Sequence, residues 1–295
     1  MRENARRPSA HFRALAGLLV AALAVPPPAA GVDLRPKTLE AFERYARLVE
    51  ERVNREVAGA GPFLWSDTLA EPRKQQVATL LRRGEVAIER LQVLEGDKPF
   101  KAPDGLIHHW VAVVFIPGAT LEQTLAVVQN YDRHKDFYKP DVMRSRTLER
   151  HGDDFRIYLR FHKKKVITVV LDTEHAVHYR RVSPARVESR SRTTRVLEVV
   201  DHDKPSEQHK PEGRDSGFLW RIYTWWRFEE RDGGTYVQCE SVSLTRAIPT
   251  GLGWLIGPFV NDVPKESLVF TLEKTRSALR GAPADDDTRK TSSPD

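Results

Sequence analysis

The sequence is poor in cysteine, with Cys239 the only one among 295 residues. An intrachain disulfide needs two cysteines, so none can form, and zinc sites built from several cysteines are excluded as well. A chain of this length can bury enough apolar surface to fold without cross-links. We therefore expect a core held together by packing, with Cys239 as a small buried hydrophobic residue.

Long apolar runs are also missing. The uninterrupted run at 14–25 has twelve residues, and a helix of that length rises only ~18 Å, against ~30 Å for the hydrocarbon core of a bilayer. Four arginines precede the run, and prolines and small residues follow it at 26–31. This order is typical of a secretory signal peptide, with an uncleaved anchor or a buried helix as the alternatives. We expect residues 1–30 to be removed and the protein to be exported, either to the periplasm or as a secreted protein.

The excess of positive charge is small once this segment is set aside. The formal net charge is +6, and residues 1–30 contribute +3 of it through four arginines and Glu3. A surface that tracks the phosphates of nucleic acid needs a larger excess, so we expect no nucleic-acid partner. The remaining charge is compatible with transient contact with an anionic membrane.

Sequence motifs of common enzymes and metal sites are absent. No HExxH, GxSxG or GxxxxGK[ST] occurs, and GLGWLIG at 251–257 differs from the dinucleotide fingerprint in its glycine spacing. His108 and His109 are neighbours on a predicted strand, and His175 and His178 lie three apart on another, so each pair points to opposite faces. We therefore expect neither a metal ion nor a cofactor.

Helical periodicity occurs at both ends of the remaining chain. Apolar residues recur every three or four positions across 38–57, and a second helical pattern covers 72–81, which makes residues 31–83 an N-terminal helical extension. A long helix is predicted from about Pro264 to Leu279, because proline suits the first turn and Gly281 suits the stop. Residues 282–295 are polar and are predicted to form a disordered tail.

The middle of the chain has the pattern of β-structure. A buried strand is predicted at 106–116, two short helices at 120–140, and about six antiparallel strands at 142–248. Thr120 and Gln123 are placed to form a capping box at the first of these helices. Within the strand region, residues 201–216 contain no aliphatic or aromatic side chain, which predicts a solvated loop.

This order of elements resembles the START-like (SRPBCC) superfamily, which includes polyketide cyclases, coenzyme Q-binding proteins and birch-pollen-allergen-like proteins. Three segments are similar to that family: IPGATLEQTLAVVQNYDRHKDFYKPDV at 116–142, RFEERDGGTYVQCESVSL at 227–244 and VPKESLVFTLEKTRSAL at 263–279. The resemblance covers about residues 84–280. It implies an α+β helix-grip domain at 84–281, in which a curved antiparallel sheet wraps around the C-terminal helix and a ligand cavity lies between them.

Strand alternation predicts which side chains form the concave, ligand-facing side of this sheet. Two strands each have one apolar face, and Thr224 and Ser241 are expected among the apolar residues as polar groups that orient a ligand. The predicted ligand-binding residues are Phe155, Ile157, Leu159, Phe161, Trp220, Ile222, Thr224, Trp226, Ser241, Trp254, Phe259 and Leu268.

Four large apolar residues, Trp254, Leu255, Ile256 and Phe259, lie in a stretch with glycines at 251, 253 and 257. Glycines permit hinge motion, so this stretch is interpreted as an apolar gate at the cavity mouth or a lip that touches a membrane. Permanent packing of these residues beneath the last helix is the alternative.

Three functions are compatible with these features. The apolar concave face and the lack of catalytic motifs favour a carrier for a lipid, quinone or similar apolar molecule. A cyclase or aromatase-type enzyme would need an acid or base inside the cavity; the candidates are Tyr158, Arg160, His162 and Glu240. A protein-interaction module is the third, because the strand at 218–228 is also aromatic on its second face, with Tyr223 and Trp225.

Overall fold

Residues 32–59, 61–165, 167–248 and 253–280 are described by the computed structural model, all within the unit Gly31–Asp295. The helices of these ranges are α1 (Pro36–Ala58), α2 (Arg73–Arg82), α3 (Leu121–Val128), α4 (His134–Phe137) and α5 (Gly253–Arg280), with 3-10 turns at Trp65–Thr68 and Tyr131–Arg133. The strands are β1 (Val32–Asp33), β2 (Ala87–Arg90), β3 (Leu94–Glu95), β4 (Lys98–Pro99), β5 (Gly105–Pro117), β6 (Val142–His151), β7 (Asp154–Lys164), β8 (Thr168–Ser183), β9 (Arg186–Val200), β10 (Gln208–His209), β11 (Arg214–Asp215), β12 (Arg221–Arg231) and β13 (Gly234–Arg246).

Nine of the strands form one antiparallel sheet. Its order is β2-β5-β13-β12-β9-β8-β7-β6, and β10 pairs with β9 beside this path. Six of these strands correspond to those predicted for residues 142–248: β6, β7, β8, β9, β12 and β13. The short pairs β1–β11 and β3–β4 lie outside this sheet.

Local sequence explains how the elements around the sheet begin and turn. Thr120 and Gln123 form the predicted capping box at the start of α3, each side chain bonding to the other residue's backbone N–H. The β12–β13 hairpin turns through Asp232 and Gly233, whose φ angles are 55° and 72°. Two successive positive φ angles are typical of a type I′ turn, which matches the twist of the paired strands.

One face of the sheet, which we call the α5 face, packs against the C-terminal helix. Leu268 and Leu272 of α5 are buried in the same core cluster as Val114 of β5 and Val237 of β13. The predicted α+β helix-grip fold is therefore confirmed. The α5 face is the face that strand alternation predicted as the concave, ligand-facing side.

The opposite face, which we call the α1 face, is covered by the N-terminal helix. Phe42 and Val49 of α1 are fully buried, and the ring of Phe42 lies edge-on to Tyr223, with 5.1 Å between centroids. Trp225 is only 2% exposed in the same cluster. The aromatic face that suggested a protein-interaction module is thus covered by the protein's own helix, so it is not an exposed aromatic patch.

Charged groups also join α1 to the sheet. Arg52 of α1 forms an ion pair with Glu240 of β13, and His109 Nε2 of β5 lies 2.6 Å from the same carboxylate. Tyr45 of α1 completes the cluster, its hydroxyl lying 2.8 Å from His109 Nδ1. The buried carboxylate of Glu240 therefore has several partners, as a buried charge requires.

The polar loop at 201–216 is more ordered than its composition suggested. It contains β10 and β11, and ion pairs attach it to the sheet: Glu207 accepts hydrogen bonds from Arg160, and Lys210 Nζ lies 2.7 Å from Glu198 Oε1. Composition predicted a solvated loop because the segment has no apolar residue. The segment is mostly exposed, as predicted, and charge pairs with distant strands hold it in place.

The last helix begins eleven residues earlier than predicted, at Gly253 instead of Pro264. The glycine-rich stretch interpreted as a gate is therefore largely helical backbone, and Pro258 and Pro264 lie within the helix. The side chains of Trp254 and Phe259 lie outside the described residues, as do residues 1–30 and 282–295. Among the helices described, none has the length and apolarity needed to span a bilayer.

Candidate functional site: an apolar cavity

A cavity of about 260 Å³ lies between the α5 face of the sheet and helix α5. One water molecule needs only ~10–15 Å³ of such space, so the cavity has room for a much larger molecule. Its apolar walls include residues from β7, β8, β12, α5 and the segment before β12: Ile157, Leu159, Phe161, Val169, Leu171, Val177, Phe218, Leu219, Ile222, Trp226, Phe228, Val260, Val263, Leu268 and Phe270. The large free volume beside well-packed cores indicates a binding space.

Eight of the twelve predicted ligand-binding residues line this cavity: Ile157, Leu159, Phe161, Ile222, Thr224, Trp226, Ser241 and Leu268. Alternation placed the seven strand residues correctly because regular strand carries every second side chain to the same face, whereas Leu268 lies on α5. That these residues bind a ligand remains a prediction.

Two predicted residues do not line it. Phe155 lies on the α5 face but in solid core, with its ring 5.4 Å from Tyr131 and 5.7 Å from Tyr179. Trp220 packs on the α1 side, where its indole N–H donates to Asp215 Oδ1 at 3.0 Å. Strand β12 begins only at Arg221, so the alternation that assigned Trp220 to the cavity does not extend to it.

The four acid or base candidates named for a cyclase are not among the lining residues. Glu240 is paired under α1, and Tyr158 donates to Asp172 Oδ1 at 2.6 Å. Arg160 makes a bidentate pair with the same Asp172, both N···O distances being 2.7 Å. His162 contacts the ring of His202 at 5.9 Å. These assignments to the cavity are corrected, because alternation sends these residues to the face away from α5.

The floor of the cavity carries a row of small hydroxyl side chains. Ser191, Thr224 and Ser241 are direct cross-strand neighbours on β9, β12 and β13. Adjacent strands lie ~4.8 Å apart, so the row crosses the floor over roughly 10 Å. Thr224 accepts a hydrogen bond from Trp226 Nε1 at 3.1 Å, which leaves its own hydroxyl proton free to be donated.

Two histidines line the cavity, and burial lowers the pKa of each to about 4. His134 lies on α4 between the rings of Tyr131 and Tyr138, both 4.8 Å away. His175 lies on β8, next to Ser191. Both imidazoles are therefore neutral at pH 7, and they act as hydrogen-bonding groups without charge.

Among the lining residues that the structure describes, only Asp141 and Lys163 carry a charge at neutral pH. Lys163 of β7 forms an ion pair with Asp141, and its Nζ lies 5.5 Å from the centroid of the Phe270 ring. Burial lowers the pKa of Lys163, although Asp141 opposes the shift. A smaller pocket shares these residues and adds Lys164, Lys165 and Glu266. The two charges of the lining neutralise each other.

Several lining residues were not predicted, and for some the signal was present. Leu171, Val177 and Tyr179 occupy alternate positions on β8, and the same alternation places His175 on their face. From sequence, His175 was considered only as a metal ligand. Tyr131 and Tyr138 come from the helical segment, where no strand period applies. No group of three or more metal-ligating side chains occurs in the described part of the chain.

Comparison with known proteins gives similarity in structure only. No protein-family model matches the chain, and no curated protein matches it in sequence. The STAR-related lipid transfer protein from Xanthomonas axonopodis is 17% identical, with 65% of this chain and 98% of that chain covered and a TM-score of 0.42. The Zhui aromatase/cyclase from Streptomyces is 10% identical (59% and 94% covered, TM-score 0.39), and a START superfamily protein from Mycobacterium smegmatis is 14% identical (58% and 97%, TM-score 0.37).

Identities and TM-scores this low carry no argument about function, which has to be inferred from the cavity itself.

Proposed function

We propose that this protein is an exported binding or carrier protein that encloses a hydrophobic ligand between the sheet and α5. The observation that carries the proposal is the cavity of about 260 Å³, lined mainly by aliphatic and aromatic side chains. Burial of an apolar molecule there contributes ~25 cal/mol per Å² of surface removed from water. These walls are complementary to a lipid, a quinone or a similar apolar molecule.

The polar groups of the cavity favour binding over catalysis. His175 and His134 are too weakly basic at neutral pH to act as general bases, because a useful base has a pKa near the working pH. The hydroxyl row on the floor can instead fix the orientation of a ligand by hydrogen bonds, which is the usual role of a few polar groups in an apolar site.

Export and membrane contact are part of the same proposal. The basic, apolar and small-residue order of residues 1–31 supports removal of a signal peptide. Lys163 and Lys165 are paired with acidic side chains, so the exposed Lys164 supports transient contact with anionic lipid headgroups during exchange of the ligand.

Protein purified from its own host should contain the ligand and lack the signal. We expect native mass spectrometry to give a mass above that of the polypeptide, and organic extraction to release the excess as an apolar molecule. N-terminal sequencing should start between Gly31 and Leu34. A native mass equal to the bare polypeptide, with nothing apolar in the extract, would contradict enclosure. Intact Met1 in the exported fraction would contradict signal removal.

A further inference from the structure

The tautomer of His175 is fixed by a chain of hydrogen bonds in the cavity wall. Thr173 Oγ1 donates to the backbone oxygen of Leu159 at 3.1 Å, and His175 Nε2 lies 2.9 Å from the same Oγ1. A carbonyl oxygen can only accept, and a hydroxyl has one proton to give. Thr173 must therefore accept from His175, so Nε2 carries the proton and Nδ1 is left as an acceptor.

The Nδ1 atom is not saturated by its protein neighbour. Ser191 Oγ lies 3.5 Å away, at the outer limit of a hydrogen bond, and belongs to the hydroxyl row of the cavity floor. His175 itself is 6% exposed and lines the cavity. A buried acceptor with an incomplete hydrogen bond is costly unless something in the cavity completes it.

The surroundings of His175 do not suit an anion. Lys163 is the only cation in the described lining, and it is already paired with Asp141. The imidazole is neutral at pH 7 because burial lowers its pKa to about 4. A carboxylate or phosphate placed beside Nδ1 would meet a lone pair and no positive charge, and burying such a group unpaired is strongly unfavourable.

We propose that His175 Nδ1 accepts a hydrogen bond from a hydroxyl group of the ligand, so that the site selects a neutral apolar molecule bearing an alcohol or phenol. This inference rests on the proposed function and narrows its ligand class. Ser191 is the second partner: its hydroxyl can donate to Nδ1 or, when a ligand hydroxyl does so instead, accept a hydrogen bond from the ligand.

The test uses fluorescent probes that share one ring system. Pyrene has no polar group, 1-methoxypyrene can only accept, 1-hydroxypyrene can donate, and 1-pyrenecarboxylate is an anion. We expect 1-hydroxypyrene to bind about tenfold more tightly than 1-methoxypyrene, because only the phenol can donate to Nδ1 and the methyl ether leaves that buried acceptor unsatisfied; tenfold is ~1.4 kcal/mol. The carboxylate should bind more weakly than the phenol.

Two matched variants locate the effect. His175→Phe removes the acceptor and keeps a ring, so it should bring 1-hydroxypyrene and 1-methoxypyrene to within about twofold of each other, with each affinity compared with that of pyrene for the same variant. His134→Phe makes the same change in the other cavity histidine, whose Nε2 donates to Val128 O at 3.0 Å and whose Nδ1 is therefore also an acceptor, so this variant tests the competing site. It should leave the preference for the phenol intact. Since pyrene binding is measured in every variant, loss of fold is seen separately.

Three results would overturn the inference: equal affinity of the phenol and the methyl ether for the unaltered protein, loss of the preference in His134→Phe instead of His175→Phe, or a carboxylate that binds as tightly as the phenol. With pyrene still bound, each leaves the proposed function standing. Failure of all four probes to bind would overturn the proposed function and this inference together.

Discussion

Trp225→Ala is expected to lower the free energy of unfolding by about 3–5 kcal/mol. Trp226→Ala should lower it by less than about half of that amount. The two residues are neighbours on β12 and point to opposite faces. Trp225 is 2% exposed in solid core between the sheet and α1. Trp226 borders the cavity, so its ring has protein contacts on fewer sides, and its removal enlarges a space that already exists.

Ligand binding should follow the opposite order. Trp226→Ala should weaken pyrene binding, and Trp225→Ala should leave it unchanged when measured well below its melting temperature. Urea unfolding and fluorescence titration of the two variants provide the comparison. Equal losses of stability, with pyrene binding unaffected in both, would show that the cavity wall has been assigned to the wrong residue.

Arg160→Leu is the second change with a large expected effect, a loss of about 3–5 kcal/mol in the free energy of unfolding. Arg160 and Asp172 are both buried, and the guanidinium also binds Glu207 of the polar loop. Removing the arginine leaves a buried carboxylate with fewer partners and detaches the loop. The matched control is Arg156→Leu on the same strand, whose pair with Glu149 is half exposed and should be worth less than about 1 kcal/mol.

The same cluster predicts a response to acid. Burial alone would raise the pKa of Asp172, but hydrogen bonds from Arg160, Tyr158 and His209 outweigh it and hold the pKa at about 2. Because the pKa is lower in the folded protein than the ~3.9 of an unfolded chain, the cluster stabilises above pH ~4 and the contribution is lost as pH falls toward 2.

Arg160→Leu should make the melting temperature less sensitive to pH between about 4 and 2, and Arg156→Leu should not. An Arg160→Leu protein that melts like the unaltered protein at pH 7 would contradict a stabilising role for the cluster. A melting profile with the same acid slope in both variants would assign the acid response to other carboxylates.

The cavity wall could be predicted from sequence where the backbone is regular. Ile157, Leu159 and Phe161 occupy alternate positions inside β7, and the period of two fixes their face without any long-range information. Trp220 follows the same pattern in sequence but precedes the first residue of β12. The period no longer applies there, and the end of a strand is set by tertiary contacts that the sequence does not state.

Contacts between distant segments account for the other differences. Tyr223 is covered by Phe42, about 180 positions away in the chain, and no local pattern indicates that α1 would lie on this face. The loop at 201–216 is held by Arg160 and Glu198 of other strands. Its composition correctly indicated that the segment has no apolar core. Ion pairs with other strands can order such a segment without one.

The hydrogen-bonding roles of the cavity residues could not be predicted from the sequence alone. Sequence placed Thr224 and Ser241 on the cavity face, yet the acceptor state of His175 depends on Thr173 and on a backbone oxygen of β7. Hydrogen-bond networks of this kind combine residues from several strands with directions that a one-dimensional pattern does not contain.

The binding of pyrene to Ser241→Phe tests the central claim, an open cavity between sheet and α5, most directly. Ser241 lies on the cavity floor, so a phenylalanine there should fill the space, keep the free energy of unfolding within about 1 kcal/mol and weaken pyrene binding at least about tenfold. Val242→Phe is the control: this neighbour points into solid core on the α1 face, where the added volume should destabilise by about 1–3 kcal/mol. If Ser241→Phe is destabilised as much as Val242→Phe and binds pyrene like the unaltered protein, there is no such cavity.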